Sequence, residues 1–508
     1  MKRIISLFLC AIMVMSLVAC GEKSGETNTP ASPDAETETV ARTDLNMITQ
    51  VEPDSLDPQV TTMQYAHQVL ENLNATLMER DANGKIVPAV AESYTIDDTG
   101  TVYTFTLKQG VKFQNGEELT ADDVVYTFER GANLTDFAPV DSVEALSDYE
   151  VAIKLKAPNA PFLASLTKVT MAILNREATE AAGDGFARNP VGCGPYILTD
   201  WVSGEYITLE AFDDYYKGAP EIKNVKIKFV GDTNTALIAL ESGDTDFSYV
   251  YPTASAEDIE ANDDLSLVYY DATALQFFTI NTQVEKLSNK LVRQAINYAL
   301  NREDVVIVAA EGLGVPTSQY CNAQTFGYLE GKEGYTYDVE KAKSLMAEAG
   351  CADGFTVKVI AQDAMTSKMT QVLSDNLKEI NITCEIETQE SNTAVSNFMS
   401  GNYEMGVLGL NNGPMDFDYI KKIFDYNGTL ALCQAKDENI VNQFNEAATL
   451  VNDDERLAAY EKLMADIWDA AYYIPVYFPQ RAVAMSSALS IDCMRSNGIA
   501  RIYEMHWN

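Results

Sequence analysis

DVEKAKSLMAEAGCADGFTVKVIAQDAMTSKMTQVLSDNLKEINITCEIETQESNTAVSNFMSGNYEMGVLGL, residues 338–410, decides the fold class. Asp338 stands where a carboxylate can accept the open N–H groups of a first helical turn, and that helix ends at Gly350. Phe355 to Ile360 alternates as a strand. Met369, Val372, Leu373, Asn376 and Leu377 share one face of a helix. Ile382 to Thr388 reads as a strand, Ser391 to Met399 as a helix, and Tyr403 to Leu410 as a strand. Strands and helices alternating at this spacing build a sheet with helices on its faces, an α/β class. Ligands favour the carboxyl edge of such sheets, which points to the loop Asn411 to Asp418.

The same grammar extends outward. Asn289 to Leu300 predicts a helix with Leu291, Ala295, Tyr298 and Ala299 on one face, and Asn301 caps the next helix. Phe277 to Asn281 and Val225 to Phe229 read as strands, and a helix from Thr233 stops near Gly243. Tyr103 to Leu107 alternates as Y-T-F-T-L. Gly110 and Asn115-Gly116 supply turns around a second short strand, Val111 to Phe113. Thr120 opens a helix whose Asp122 and Asp123 suit its positive end, with Val124, Val125 and Phe128 on the apolar side. No internal repeat is evident.

The amino end reads as an address. Lys2 and Arg3 precede an apolar run from Ile4 to Val18, the length of a signal core. It ends in Leu17-Val18-Ala19-Cys20-Gly21, which resembles the bacterial lipoprotein cleavage box, so Cys20 is the expected lipidation site. Residues 21–43 hold Thr, Ser, Pro, Glu and Asp without an aromatic residue, a composition that reads as a flexible tether. No later stretch reaches the 18 or so consecutive apolar residues of a membrane span.

The formal charge is -39, and losing Lys2 and Arg3 takes it to -41. Such a balance excludes nucleic-acid binding, which needs clustered Lys and Arg. With Cys10 removed and Cys20 acylated, six cysteines remain: Cys193, Cys321, Cys351, Cys384, Cys433 and Cys493. None forms a C-x-x-C pair, and their pairing is open. His67 and His506 are the only histidines, so neither a direct metal site nor Ser-His or Cys-His catalysis is expected. No G-x-S-x-G, H-E-x-x-H or nucleotide P-loop string occurs. The expectation is a non-enzyme without cofactor.

Five blocks in order carry a resemblance: Leu56-Asp57-Pro58; Val87-Pro88-Ala89-Val90-Ala91-Glu92-Ser93 with Tyr103 to Phe113 and Asn115-Gly116; Thr120 to Val124; Asn189-Pro190-Val191-Gly192-Cys193-Gly194-Pro195-Tyr196; and Val292 to Ala299. Together they resemble the family-5 solute-binding proteins of ABC importers, the dipeptide, oligopeptide and nickel-binding group. The resemblance implies a two-lobed periplasmic-binding-protein-like fold (type II, cluster C) with an extra domain inserted in the first lobe. It divides the chain into a signal peptide at 1–20, a tether at 21–43, lobe I at 44–84, 186–280 and 481–508, the extra domain at 85–185, and lobe II at 281–480. The implied crossings lie near Ile280-Asn281 and Phe478-Gln480.

The implied function is capture of a di- or oligopeptide between the lobes and delivery to permease and ATPase subunits, by a monomer lipid-anchored outside the cell. In peptide-binding relatives the loop after the last strand carries a Trp and an Asp. Here the Trp position holds Leu410, and the Asp position falls on Asn412 or Gly413. The expected ligand contacts are therefore Tyr65, Gln276, Asn411, Asn412, Asp416, Asp418 and Tyr419. Asp416 or Asp418 could take the α-amino group, or both could be loop-capping carboxylates. An oligosaccharide, a nickel chelate, and a surface receptor or chaperone-like role without an importer stay open as alternatives.

Overall fold

The computed structural model describes residues 42–508 apart from 412, 414 and 429. Cys20, most of the tether and Asn412 lie outside the described residues.

A mixed sheet of 12 strands organises the chain, in two halves. In the first half, Asp44–Thr49 pairs in parallel with Asn224–Phe229 and with Phe247–Ser248, and Tyr206–Ala211 and Tyr196–Val202 continue it antiparallel. In the second half, Phe355–Ala361 runs parallel to both Ile382–Thr388 and Met405–Asn411, while Ala274–Ile280 pairs antiparallel with Met405–Asn411. The long strand Tyr473–Ser486 belongs to both halves. The described fold is α/β and two-lobed.

Side-chain alternation explains why these segments are strands. In Ala274–Ile280, Leu275 and Phe277 enter one apolar cluster with Phe417, Tyr460 and Tyr473. Phe278 and Ile280 enter the cluster on the opposite face, with Val357, Val359 and Met405. A strand covered on both faces reads as a continuous apolar run. A third cluster, around Leu45, Leu70, Tyr196 and Ile227, fills the first half. A fourth, around Tyr103, Phe105, Phe113, Val151 and Phe162, lies under a separate antiparallel sheet of four strands within residues 91–155.

Local caps follow the sequence. The side chains of Asp338, Asn289 and Asn301 accept first-turn N–H groups of Val339–Glu348, Lys290–Ala299 and Arg302–Ala309. Thr120 and Asp123 cap Ala121–Gly131 reciprocally. The Gly192-Cys193-Gly194 segment is fixed by close approach. A Cβ on Gly192 would stand 2.1 Å from the Leu73 carbonyl oxygen, and one on Gly194 would stand 2.4 Å from the Asn74 nitrogen. No side chain fits at either place.

Three expectations change. Val111 to Phe113 is not a strand; its only ladder contact is a single bridge, Lys112 to Glu118. The helix Lys290–Ala299 buries Val292, Ala295, Ile296 and Ala299, while Leu291 and Tyr298 are half-buried at its margin. The last strand starts at Met405 rather than Tyr403, because Tyr403 turns its hydroxyl inward to Thr279 at 2.9 Å. The strand pairings put the change between half-sheets shortly before the expected crossing near Ile280-Asn281. Leu265–Asp271 pairs with the far end of the long strand and Ala274–Ile280 with its near end, so the chain changes halves at Ala272-Thr273.

Candidate functional site

Two passages of the chain lie side by side where the half-sheets meet. Asp271 is opposite Gln480, the last rung on one side, and Gly314 is opposite Pro479 on the other. The Ala272 N–H donates to the Pro479 carbonyl at 2.9 Å, and the Gln480 amide to Asp271 Oδ1 at 3.1 Å. Pro479 has no N–H to give, so the ladder is thin at the point of exchange. Asn322 Nδ2 donates to the Ala272 carbonyl at 3.3 Å, and the Thr273 N–H to the Ser496 carbonyl at 3.3 Å. A cavity of about 190 Å³ opens beside these passages, lined by Asp271, Thr317, Gln319, Asn322, Tyr328 and Phe478.

Gln276 and Asn411 stand next to the passages. Gln276 faces Gly409 across the strand pair, and a Cβ on Gly409 would lie 2.8 Å from Gln276 Nε2. Glycine there leaves room for the amide. Gln276 is half-buried, and among the described residues its side chain has no hydrogen bond. Asn411 is exposed and its Oδ1 accepts from Thr273 Oγ1 at 2.6 Å. Tyr65 belongs to the first half, on the helix Gln64–Leu73, and donates to Gln50 Oε1 at 2.9 Å. His67 follows it on the same helix. Its Nε2 is buried without a partner among the described residues, and burial pushes its pKa down.

Asp416 is a different case. It is 1% exposed. Its Oδ1 accepts from the Tyr460 hydroxyl at 3.1 Å and from the Asp418 N–H at 3.0 Å, capping the turn Phe417–Ile420. Its Oδ2 pairs with Arg456 Nη1 at 3.1 Å, and the Arg456 guanidinium lies 4.0 Å over the Phe326 ring. Arg80 of the strand Met78–Arg80 approaches from the first half and donates to the Met415 carbonyl at 3.4 Å. This carboxylate is spent inside the protein as a capping and ion-paired group. Of the two roles open to Asp416 in the sequence, amine acceptor or loop-capping carboxylate, its hydrogen bonds are those of the second.

Asp418 is half-buried, and its Oδ1 has no hydrogen-bond partner among the described residues. Burial first, and then the charge of Asp416, pushes its carboxyl up to about 6. Tyr419 lies under Lys422, whose Nζ is 3.5 Å from the ring centroid. Burial and the charge of Asp136, from the 85–185 stretch, raise the Tyr419 hydroxyl. Of the seven expected contacts, Gln276 and Asn411 come together, Tyr65 stands on the other half, and Asp416, Asp418 and Tyr419 form a packed turn. Thr273, Ser496 and Arg456 were not anticipated. Thr273 shows no sequence signal, and Arg456 reads as an ordinary charge on the helix Asp453–Ala470.

Among the described residues no three His, Cys, Asp or Glu side chains gather around one point. The six described cysteines are all unpaired. Cys193 is fully buried, which pushes its thiol up to about 12 and makes it inert.

The sequence profile of the bacterial extracellular solute-binding proteins, family 5 Middle, matches residues 85–429. The glutathione-binding protein GsiB of Salmonella paratyphi A is 28% identical over 347 residues, 66% of this chain and 68% of that one. Among solved structures, HbpA2 from Haemophilus parasuis superposes with a TM-score of 0.85 at 22% identity, covering 92% of this chain and 100% of that one. The periplasmic binding protein DppA from Helicobacter pylori, in complex with the peptide STSA, gives 0.71 at 25% identity, covering 92% and 98%.

The buried Asp418 yields a pH test. Its folded pKa near 6 exceeds the unfolded value near 3.9, so folding binds a proton between them. Stability is then lost as pH rises from about 4 to about 6, and the loss is complete above that. Asp418→Asn is expected to melt at a higher temperature than the unaltered chain at pH 7.5, and the two should converge near pH 4. A variant that gains nothing at pH 7.5 contradicts this assignment.

Proposed function

The chain belongs to family 5 of the bacterial extracellular solute-binding proteins, and from that premise we propose that it captures a short peptide between two lobes and passes it to the permease of an ABC importer. Proteins of this kind bind and deliver substrates; they are not enzymes. The observation that carries the reading is the paired passage at Ala272-Thr273 and Pro479-Gln480, with the polar side chains of Gln276, Asn411 and Thr273 around it. A solute touching both halves favours the closed arrangement by the difference between its affinities for the closed and open forms. Closure removes water from those polar groups, which the solute must then pair.

Three points support a peptide as the solute. GsiB is a glutathione-binding protein by name, and glutathione is a peptide. DppA holds the peptide STSA. The groups at the passages include, beside the Asp271 carboxylate, amides and hydroxyls, which match the donors and acceptors of a peptide backbone. In this reading Gln276, Asn411 and Asn412 act from lobe II and Tyr65 from lobe I. Lobe I takes residues 44–271 outside the extra domain together with 480–508, and lobe II takes 274–479. The protein works as a monomer, held to the outer face of the cell membrane through acylated Cys20, with the ATPase on other subunits.

Two measurements test this. A ligand bound only by the folded state adds about 2.7 kcal/mol of stability at a hundred times its Kd. In a thermal-shift panel of glutathione, Ser-Thr-Ser-Ala, a maltooligosaccharide and nickel–histidine, a peptide is expected to raise Tm by a few degrees. A shift with the sugar or the nickel complex alone removes the peptide assignment. For the anchor, Cys20→Ser is expected to abolish incorporation of labelled palmitate in a bacterial host and to release the protein from membranes. Undiminished labelling of that variant would place any acyl group elsewhere.

A further inference from the structure

A short hairpin carried by the first half reaches across to the second. Met78–Arg80 and Ile86–Pro88 pair antiparallel, with Arg80 opposite Ile86. Asp81 Oδ1 accepts the N–H groups of Asn83 and Lys85, each at 2.9 Å, and so fixes the turn between the two strands. Gly84 closes that turn at φ +79°. The base of the hairpin is tied to the first half through Glu79, which pairs with Lys217 at 2.5 Å and with Arg501 at 3.1 Å.

The tip meets the second half. A Cβ on Gly84 would stand 2.9 Å from the Gln324 carbonyl oxygen and 3.4 Å from the Gln324 Cβ. Ser496 Oγ donates to Gln324 Oε1, and the Ser496 carbonyl accepts the Thr273 N–H, so this contact adjoins the two passages. Arg80 is buried and spans the same boundary. Its Nη1 donates to the Gly84 carbonyl at 2.6 Å, within the hairpin, and its Nη2 to the Met415 carbonyl at 3.4 Å, across the boundary. The Met415 carbonyl also accepts the Phe326 N–H at 3.1 Å. Met415 stands at φ +53°, where a side chain crowds its own backbone, so the end of the 411–415 loop needs support from outside itself. Burial lowers the Arg80 pKa to about 10, with the charge of Asp416 acting the other way, and the guanidinium stays charged at neutral pH.

We propose that Arg80 is a positioning residue for solute capture: the hairpin 78–88 seats on Gln324 and Met415 as the lobes close, and Arg80 then fixes the loop that carries Asn411 and Asn412. The inference rests on the capture reading above and adds a residue that acts on the solute only through that loop. The guanidinium bonds divide the task. The one to Gly84 lies within the hairpin and pre-sets the planar fork in either arrangement. The one to Met415 exists only while the halves are together. Opening therefore breaks a charged hydrogen bond away from the solute's own contacts, which slows release more than it alters entry.

Two measurements on the full mature chain decide it. In stopped flow with Ser-Thr-Ser-Ala and with glutathione, Arg80→Met is expected to release the bound peptide about tenfold faster, the scale of one charged hydrogen bond. Association and the melting temperature of the solute-free chain should stay nearly unchanged, and Arg80→Lys, which keeps the charge without the fork, should restore part of the retention. Release at the original rate from Arg80→Met overturns the proposal. The second measurement needs no solute. The Gly84→Cys/Gln324→Cys pair has a Cβ spacing near that of a disulfide and is expected to cross-link under mild oxidation. It is made in a Cys493→Ser background, because Cys493 Sγ lies 3.6 Å from the Ala82 carbonyl oxygen of the same turn. Adding Arg80→Met should slow the cross-link by a similar factor, since the seated hairpin is then less populated. Equal rates, or no cross-link at all, overturn the proposal. If neither peptide binds, the peptide reading fails, and the cross-linking rates alone decide the role of Arg80.

Discussion

The strand Tyr473–Ser486 is the constraint on which the rest of the structure depends. Its first part is hydrogen-bonded into one half-sheet and its last part into the other. It therefore forces both halves into one continuous sheet while leaving a seam at Pro479-Gln480. The second passage, Ala272-Thr273, lies directly against that seam through the Ala272 to Pro479 hydrogen bond. Two adjacent covalent passages resist shear and permit bending, because few ladder bonds must change when the halves rotate. Proline at the seam keeps the ladder sparse there. The polar groups beside the seam, Gln276, Thr273 and Asn411, are thus placed where rotation alters their surroundings most.

Charge is distributed to the same end. The chain carries a large acidic excess, and in the 415–422 turn Asp416 is neutralised internally by Arg456 while an Asp418 oxygen is left without a hydrogen-bond partner among the described residues. Asp416 is closed off by Arg456, Tyr460 and the turn backbone, a buried pair that is costly to break.

Local structure was legible in the sequence and long-range assembly was not. The caps at Thr120, Asn301 and Asp338 were readable because each depends on one side chain and the next three or four amides. The alternation of Phe355 to Ile360 was readable for the same reason of short range. The change of half-sheet at Ala272-Thr273 was hard to read because Leu275 to Ile280 is apolar on both faces and the link itself contains neither Gly nor Pro. Asp416 was recognisable as a loop carboxylate, but its fate depended on Arg456, forty residues later and on another element.

Closure of two halves about the seam is the central claim, and small-angle X-ray scattering measures it most directly. With a solute at saturation, confirmed by calorimetry on the same sample, the mature chain should show a smaller radius of gyration and a shorter maximum dimension than without it. Scattering curves that superimpose with the site demonstrably full would contradict a hinged capture mechanism.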